Sequence, residues 1–282
     1  MKLLSYNAFT LKVIAVVAMI LNHAAIGLQP LLPFGLFLVF YAVGGATYVI
    51  MAYFVVEGYR HTSNLKKYIG RLLIFGLIAQ AFHPMVLAST AMMEGLVFVN
   101  IMFTISLSLL VLLANDRIKN RFLFWVLFVV ACIISIFMDL GFIAVTATLL
   151  YHKISKSEER RRTLPGIISG IYYFAVGILA LLGVLSMHLL HNMGMYADLE
   201  VMLEQLGGYD LATLTAQGWA VPTFALGAFM GAILIRNFNG ERGRRAKWLF
   251  YVAYPAHLAV IALVMVLAGI VSFNLFGFML QA

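Results

Sequence analysis

A single cysteine, Cys132, stands in the 282-residue chain, so no intrachain disulfide can hold it together. Charge is scarce as well: Asp, Glu, Lys and Arg make up 11% of the residues, under half of what a soluble domain carries. No low-complexity tract or linker marks off a soluble domain. P-loop, Gly-x-Ser-x-Gly and dinucleotide-binding fingerprints are also absent, which removes the common nucleotide-hydrolase and α/β-hydrolase readings. The first apolar run is too long for a cleaved signal peptide, and no A-x-A-like site follows it before Pro30.

What the chain has instead is apolar length. Hydrophobic residues make up 63% of it and the mean hydropathy is +1.00. Windows of about 17–25 mostly apolar residues, enough to cross a bilayer as helices, fall near 10–30, 33–56, 70–90, 96–114, 122–138, 139–153, 164–188, 219–236 and 248–272. The expected fold is all-α: a polytopic transmembrane helical bundle of about nine spans, one integral membrane domain over 1–282. The sixth span is short, and its boundary with the fifth falls in "FMDLGF".

Charge supplies the orientation. With the N-terminus cytoplasmic and the C-terminus external, the inner segments are 1–12, 57–71, 115–121, 153–162 and 236–247, and they hold all 19 Lys and Arg residues. The outer segments hold none, as the retention of positive residues on the cytoplasmic side requires. The 11 acids divide into five inside and six outside. The net charge of +8 therefore records orientation and does not call for a nucleic-acid partner.

The largest outer piece is 188–218. Tyr196, Leu199, Met202, Leu203 and Leu206 recur there at helical spacing before Gly207-Gly208, which reads as a short amphipathic helix on the outer surface. It serves either as a cover or as a docking platform for an external partner. The pairs Gly166/Gly170 and Gly227/Gly231 have the four-residue spacing that lets helices approach closely.

Polar groups within the spans are the candidate functional residues, because such groups are expensive in hydrocarbon. His23, beside Asn22, lies eleven residues past Lys12 and so about 16 Å deep. His257 lies ten residues past Lys247, about 15 Å deep by the same arithmetic. Lys247, Tyr251, Tyr254 and His257 follow one another at helical steps and share a face, interrupted by Pro255. On the fourth span Asn100, Thr104 and Ser108 form a second polar stripe from the outer side, although Ser and Thr often bond their own helix. Two routes toward one depth suit a reaction or transport across the membrane. His188 and His191 have metal-ligand spacing, but no Cys or carboxylate motif accompanies them. Between spans two and three, Arg60, Lys66, Lys67 and Arg71 offer donors suited to phosphate, with Glu57 placed to pair with Arg60 or Arg71. The same cations also satisfy simple positive-inside anchoring.

Taken in order, "LKVIAVVAMILNHAAIG", "VEGYRHTSNLKKYIGRLLIFGLIAQAFHP", "NIMFTISLSLL", "DLGFIAVTATLLYH" and "KWLFYVAYPAHL" resemble the TraX family of bacterial membrane proteins. That family is named for the conjugative enzyme that acetylates the N-terminus of F-type pilin. The most specific pieces are carried by Glu57, Gly58, Thr62, Asn64, Lys67, Tyr68, Arg71 and Leu72, and by Tyr254, Pro255 and His257. The family's first-span Asp-His is Asn22-His23 here, so no carboxylate precedes this histidine.

The resemblance implies an acyltransferase of the bacterial inner membrane. Acetyl-CoA or another acyl-CoA would enter from the cytoplasm, its phosphates held by Arg60, Lys66, Lys67 and Arg71. His23 would act as general base or as transient acyl carrier, with Asn22 accessory and His257 and Tyr254 orienting the base or stabilising the oxyanion. The acceptor would be a pilin, peptide or other external molecule, and neither a metal nor a redox cofactor is called for. The alternative from the same residues is a proton-coupled transporter with His23 and His257 as carriers. A non-enzymatic assembly role is the third reading.

Overall fold

The computed structural model describes residues 5–87, 99–154, 163–194 and 211–271. Among them the chain is helical, with two isolated bridge pairs, Tyr6 to Phe238 and Val99 to Met138. The helices are α1 (Ala8–Gly27), α2 (Phe34–His61), α3 (Leu65–Gln80), α4 (His83–Leu87), α5 (Ile101–Arg117), α6 (Arg121–Ser135), α7 (Gly141–Ile154), α8 (Leu164–Asn192), α9 (Leu211–Arg236) and α10 (Lys247–Leu267). Asparagine starts four of them: Asn7, Asn64, Asn100 and Asn120 each turn a side-chain oxygen onto a free backbone N–H of the first turn.

A helix lies at each of the nine expected stretches, but length separates them. Five, within α1, α2, α8, α9 and α10, are long and apolar enough to cross a membrane, which defines a multi-pass membrane protein. Helices α6 and α7 are apolar but have 15 and 14 residues, rising about 22 and 21 Å against a hydrocarbon core of about 30 Å. Both are cut short at "FMDLGF", where Asp139 leaves the helical path to donate its N–H to Val99 O and Leu140 takes a φ of 59°. The expected 188–218 loop is narrower than its sequence limits, because α8 runs on to Asn192 and α9 begins at Leu211. His188 ties those two helices through Thr215 Oγ1 at 3.0 Å. The expected amphipathic helix around 196–206 lies outside the described residues.

The surface is that of a protein in lipid. Leu77 on α3, Phe122 on α6, Leu179 on α8 and Leu263 on α10 are each more than half exposed, while His23, His83, Asn100, Thr104 and His257 are buried. A water-soluble fold would reverse that arrangement.

Close glycine contacts fix the packing of the longer helices. Helix α9 lies along both α2 and α8, and α1 along both α2 and α10. A Cβ at Gly227 would strike the backbone of Ala42, and one at Gly166 would meet Ala232 Cβ at 2.8 Å. Two of the four-spaced glycines thus sit at helix crossings without spare room. The remaining helices close the bundle, α5 against α3 and α7, and α3 against α10.

Contacts between chain segments sort by the expected sides. Ala8 and Phe9 donate to the carbonyls of Glu241 and Arg242, joining two segments expected inside. Tyr59 and His152 both reach Asp116 at 2.9 Å, joining three helix ends expected inside. At the opposite end Val99 pairs with Met138 and accepts from Asp139 N–H, and the Asp139 carboxylate lies beside His83. Which end faces the cytoplasm rests on the distribution of Lys and Arg.

Candidate active site: a histidine pair at an apolar cavity

Helices α1 and α10 run in the same direction, with Phe9 beside Phe250 near their starts and Gly27 closely facing Ile261 and Met265 near the end of α1. That register brings His23 and His257 to one level. Their rings lie 4.9 Å apart between centroids, and His23 Nδ1 is 3.0 Å from His257 Nε2.

The hydrogen-bond partners favour one tautomer of each ring when both are neutral. His257 Nδ1 faces the carbonyl of Ala253 at 2.9 Å, and His23 Nδ1 faces that of Met19 at 3.1 Å. A carbonyl only accepts, so each Nδ1 is the protonated nitrogen. His23 Nδ1–H is then shared between Met19 O and the lone pair of His257 Nε2. What remains is the lone pair on His23 Nε2, on a ring that lines a cavity. The arrangement is a directional chain, carbonyl to His257 to His23, that ends in a base.

The cavity extends from Ala15, Val55 and Phe250 at one end to Ile26, Leu87 and Asp139 at the other, walled by α1, α2, α5, α7, α9 and α10. Its walls are largely apolar, Met19, Met51, Ile101 and Ile105 among them, with Asn22, His23, Tyr48, Asp139 and Tyr254 supplying polar groups. Tyr254 sits edge-on to both histidines, with centroids 6.3 Å from His23 and 5.5 Å from His257. Its hydroxyl is buried beside the backbone of Ile101 without a well-formed hydrogen bond. Asn22 lines the cavity and donates from Nδ2 to Tyr41 O at 3.1 Å. Its amide lies flat on Gly44, where any Cβ would collide with it, so Asn22 also clamps α1 to α2.

The outer polar stripe is largely structural. Asn100 caps α5 and donates to Gly76 O and Gln80 Oε1, both at 2.8 Å. Thr104 donates to Asp139 O at 2.9 Å, and Ser108 bonds its own helix at Thr104 O. Of the three, Ser108 lines the cavity.

The basic segment does not gather its cations at one point. Arg60 donates to His152 O at 2.9 Å and pairs with Glu57 at 3.5 Å, which binds α2 to α7. Arg71 turns the other way, with its guanidinium 5.7 Å from the centre of the Tyr251 ring and Nε 3.5 Å from the hydroxyl. Lys66 and Lys67 stand exposed in the first turn of α3. Of the two expected partners for Glu57, the structure chooses Arg60.

Two groupings escaped the sequence reading. Neither Asp139 nor His83 stands among the candidate residues read from the sequence, yet Asp139 Oδ2 lies 3.8 Å from His83 Nε2 at the far end of the cavity. The available signal was an acid inside an otherwise apolar stretch. The second grouping is a polar recess at the ends of α5, α6 and α7, lined by Asp116, Arg121, Trp125, His152 and Lys153. Burial pushes the Asp116 carboxyl up, but hydrogen bonds from His152 and Tyr59 outweigh it and hold the group below its ordinary range.

Fold and site together define a multi-pass helical membrane protein with a histidine pair, one member of which, His23, lines an apolar cavity. The comparisons give its family: the match to the family described as "TraX protein" covers residues 8–265, so the chain belongs to the TraX family. It is also similar to a protein of Dichelobacter nodosus named "Probable fimbrial assembly protein FimC, serogroup H1", 27% identical over 279 residues that span 92% of this chain and 95% of that protein. No solved structure matches the chain.

Proposed function

We propose that the protein is an acyltransferase of the bacterial cytoplasmic membrane, moving an acetyl or other acyl group from cytoplasmic acyl-CoA to an acceptor at the outer side. The observation that carries this reading is the His23–His257 pair, 3.0 Å apart, with the His23 ring lining an apolar cavity. Family membership and the fimbrial name of the relative support a pilin or secreted peptide as acceptor.

In this reading His23 Nε2 takes a proton from the attacking amine as its nitrogen forms a bond to the thioester carbonyl carbon. The carbonyl becomes an oxyanion, toward which the Tyr254 hydroxyl is the nearest free donor. As the carbon–sulfur bond breaks, His23 returns the proton to sulfur and CoA leaves as a thiol. His257 holds the base in the required tautomer and stabilises the charge it acquires, the role a third group plays in hydrolytic triads. A positioned base of this kind contributes about 10²–10⁴ in rate. Arg71, Lys66 and Lys67 take the CoA phosphates, while Arg60 and Glu57 brace the segment that carries them.

The test has two arms. Purified protein in lipid nanodiscs, given labelled acetyl-CoA and a peptide with the amino-terminus of a mature pilin, should form acetylated peptide. Pilins and secreted peptides from cells with the gene should carry the mass of one acetyl group that deletion removes. Folded protein that neither binds nor consumes acyl-CoA overturns the reading, and peptide uptake into proteoliposomes would then favour a transporter.

A further inference from the structure

The cavity has an acid at the end remote from the cations, and the imidazole beside it is left without hydrogen-bond partners. Asp139 lines the cavity, its side chain 28% exposed, while His83 beside it is fully buried. At 3.8 Å the two are close enough for attraction and too far apart for a hydrogen bond. Neither nitrogen of His83 has a hydrogen-bond partner. A buried imidazole with two unsatisfied nitrogens next to a carboxylate is costly unless a further group completes the site.

The backbone is arranged to aim that carboxylate. The Asp139 N–H donates to Val99 O at 2.8 Å, and its carbonyl accepts from Thr104 Oγ1 at 2.9 Å. The next residue, Leu140, also lines the cavity and holds a φ of 59°, the left-handed region that a side-chain-bearing residue rarely adopts. Strain of this sort is retained where surrounding contacts impose it, often at binding sites. Three devices therefore act on one short turn: an anchored N–H, an anchored carbonyl and a left-handed residue.

The chemistry of the missing group follows from the lining. Among the described lining residues Asp139 is the only acid and there is no Lys or Arg, so the cavity presents a negative charge without a cation of its own. A small cation with several N–H donors completes such a site. A bare divalent ion does not fit, since it demands about six oxygen ligands and no three metal-ligating side chains gather among the described residues.

We infer that Asp139, set against His83, is the seat for the protonated primary amine of the acyl acceptor, so that the cavity selects an ammonium-bearing peptide end over a hydroxyl. The inference rests on the acyl-transfer reading for its chemistry. The carboxylate draws the ammonium in and orients it. One proton passes from the ammonium to Asp139, whose partly exposed carboxyl returns it to solvent, leaving a neutral amine. That amine gives its second proton to His23 Nε2 as it attacks. The products are the amide, CoA thiol and one released proton. Asp139 binds the acceptor directly, and His83 acts through Asp139 as a positioning residue.

The decisive measurement is binding, which does not depend on turnover. The full-length protein in nanodiscs is titrated with a short apolar peptide bearing a free amino-terminus, and with the same peptide in which that amino group is replaced by hydrogen. Wild type should prefer the free amine by about 10–100-fold, the worth of one hydrogen bond to a charged group, and Asp139→Asn should abolish the preference. In turnover assays Asp139→Asn should raise the KM for the peptide by a similar factor. Asp139→Glu should recover part of the preference, which a purely structural carboxylate would not do. Equal binding of the two peptides by wild type overturns the inference, and so does a preference that survives in Asp139→Asn. An amine preference that depends on Asp139 in a protein with no acyl-CoA turnover would uphold this seat and overturn the acyl-transfer reading instead.

Discussion

His23 Nδ1 and His257 Nε2 lie 3.0 Å apart although 234 residues separate them in the chain. The two rings are one hydrogen-bonded unit, and in the proposed reaction they fail as one. His23→Ala should lower acetyl transfer by about 10²–10⁴ and His257→Ala by a similar order. The double variant should be scarcely worse than His23→Ala alone, because residues acting as a unit are strongly non-additive. Single-turnover rates in nanodiscs give the cycle. Multiplicative losses would mean that His257 does not act through His23.

Asn22 makes a different prediction. Its Nδ2 donates to Tyr41 O, and its amide fills the space above Gly44. Asn22→Asp keeps the shape but removes the donor and turns a carboxylate oxygen toward a carbonyl. We expect a loss of about 1–3 kcal/mol in stability, read as a lower melting temperature in detergent. An unchanged melting temperature would show that the α1–α2 clamp does not depend on this bond.

Arg71 and Tyr251 separate the two readings of the basic segment. If Arg71 takes a CoA phosphate, Arg71→Ala should weaken CoA binding by about 10–100-fold with expression intact. Tyr251→Phe removes only the hydroxyl facing Arg71 Nε and should leave CoA affinity nearly unchanged. Equal CoA affinity in wild type and Arg71→Ala would return Arg71 to membrane anchoring.

Sidedness is open to a direct test. In a Cys132→Ser background, single cysteines at Ser63 and Met193, both exposed, should label from opposite sides of the membrane. Ser63→Cys should react only from the cytoplasm and Met193→Cys only from outside. Labelling of both from one side would overturn the orientation derived from Lys and Arg.

The sequence by itself determined the membrane class, the nine helical stretches, the shared level of two histidines and the clustering of the basic residues in the segments between those stretches. These properties are local: hydropathy, helix rise and flanking charge need no knowledge of neighbours. It overestimated α6 and α7 at "FMDLGF", because the turn there is held by Val99 and Thr104 from another part of the chain. Tertiary structure alone decided that His23 touches His257, that Glu57 pairs with Arg60, and that Asp139 reaches the cavity beside His83. The physical reason is rotation. Which face a helix turns inward, and against which neighbour, is set by close contacts such as Asn22 on Gly44 and Gly227 on Ala42, and periodicity along one helix carries no record of them.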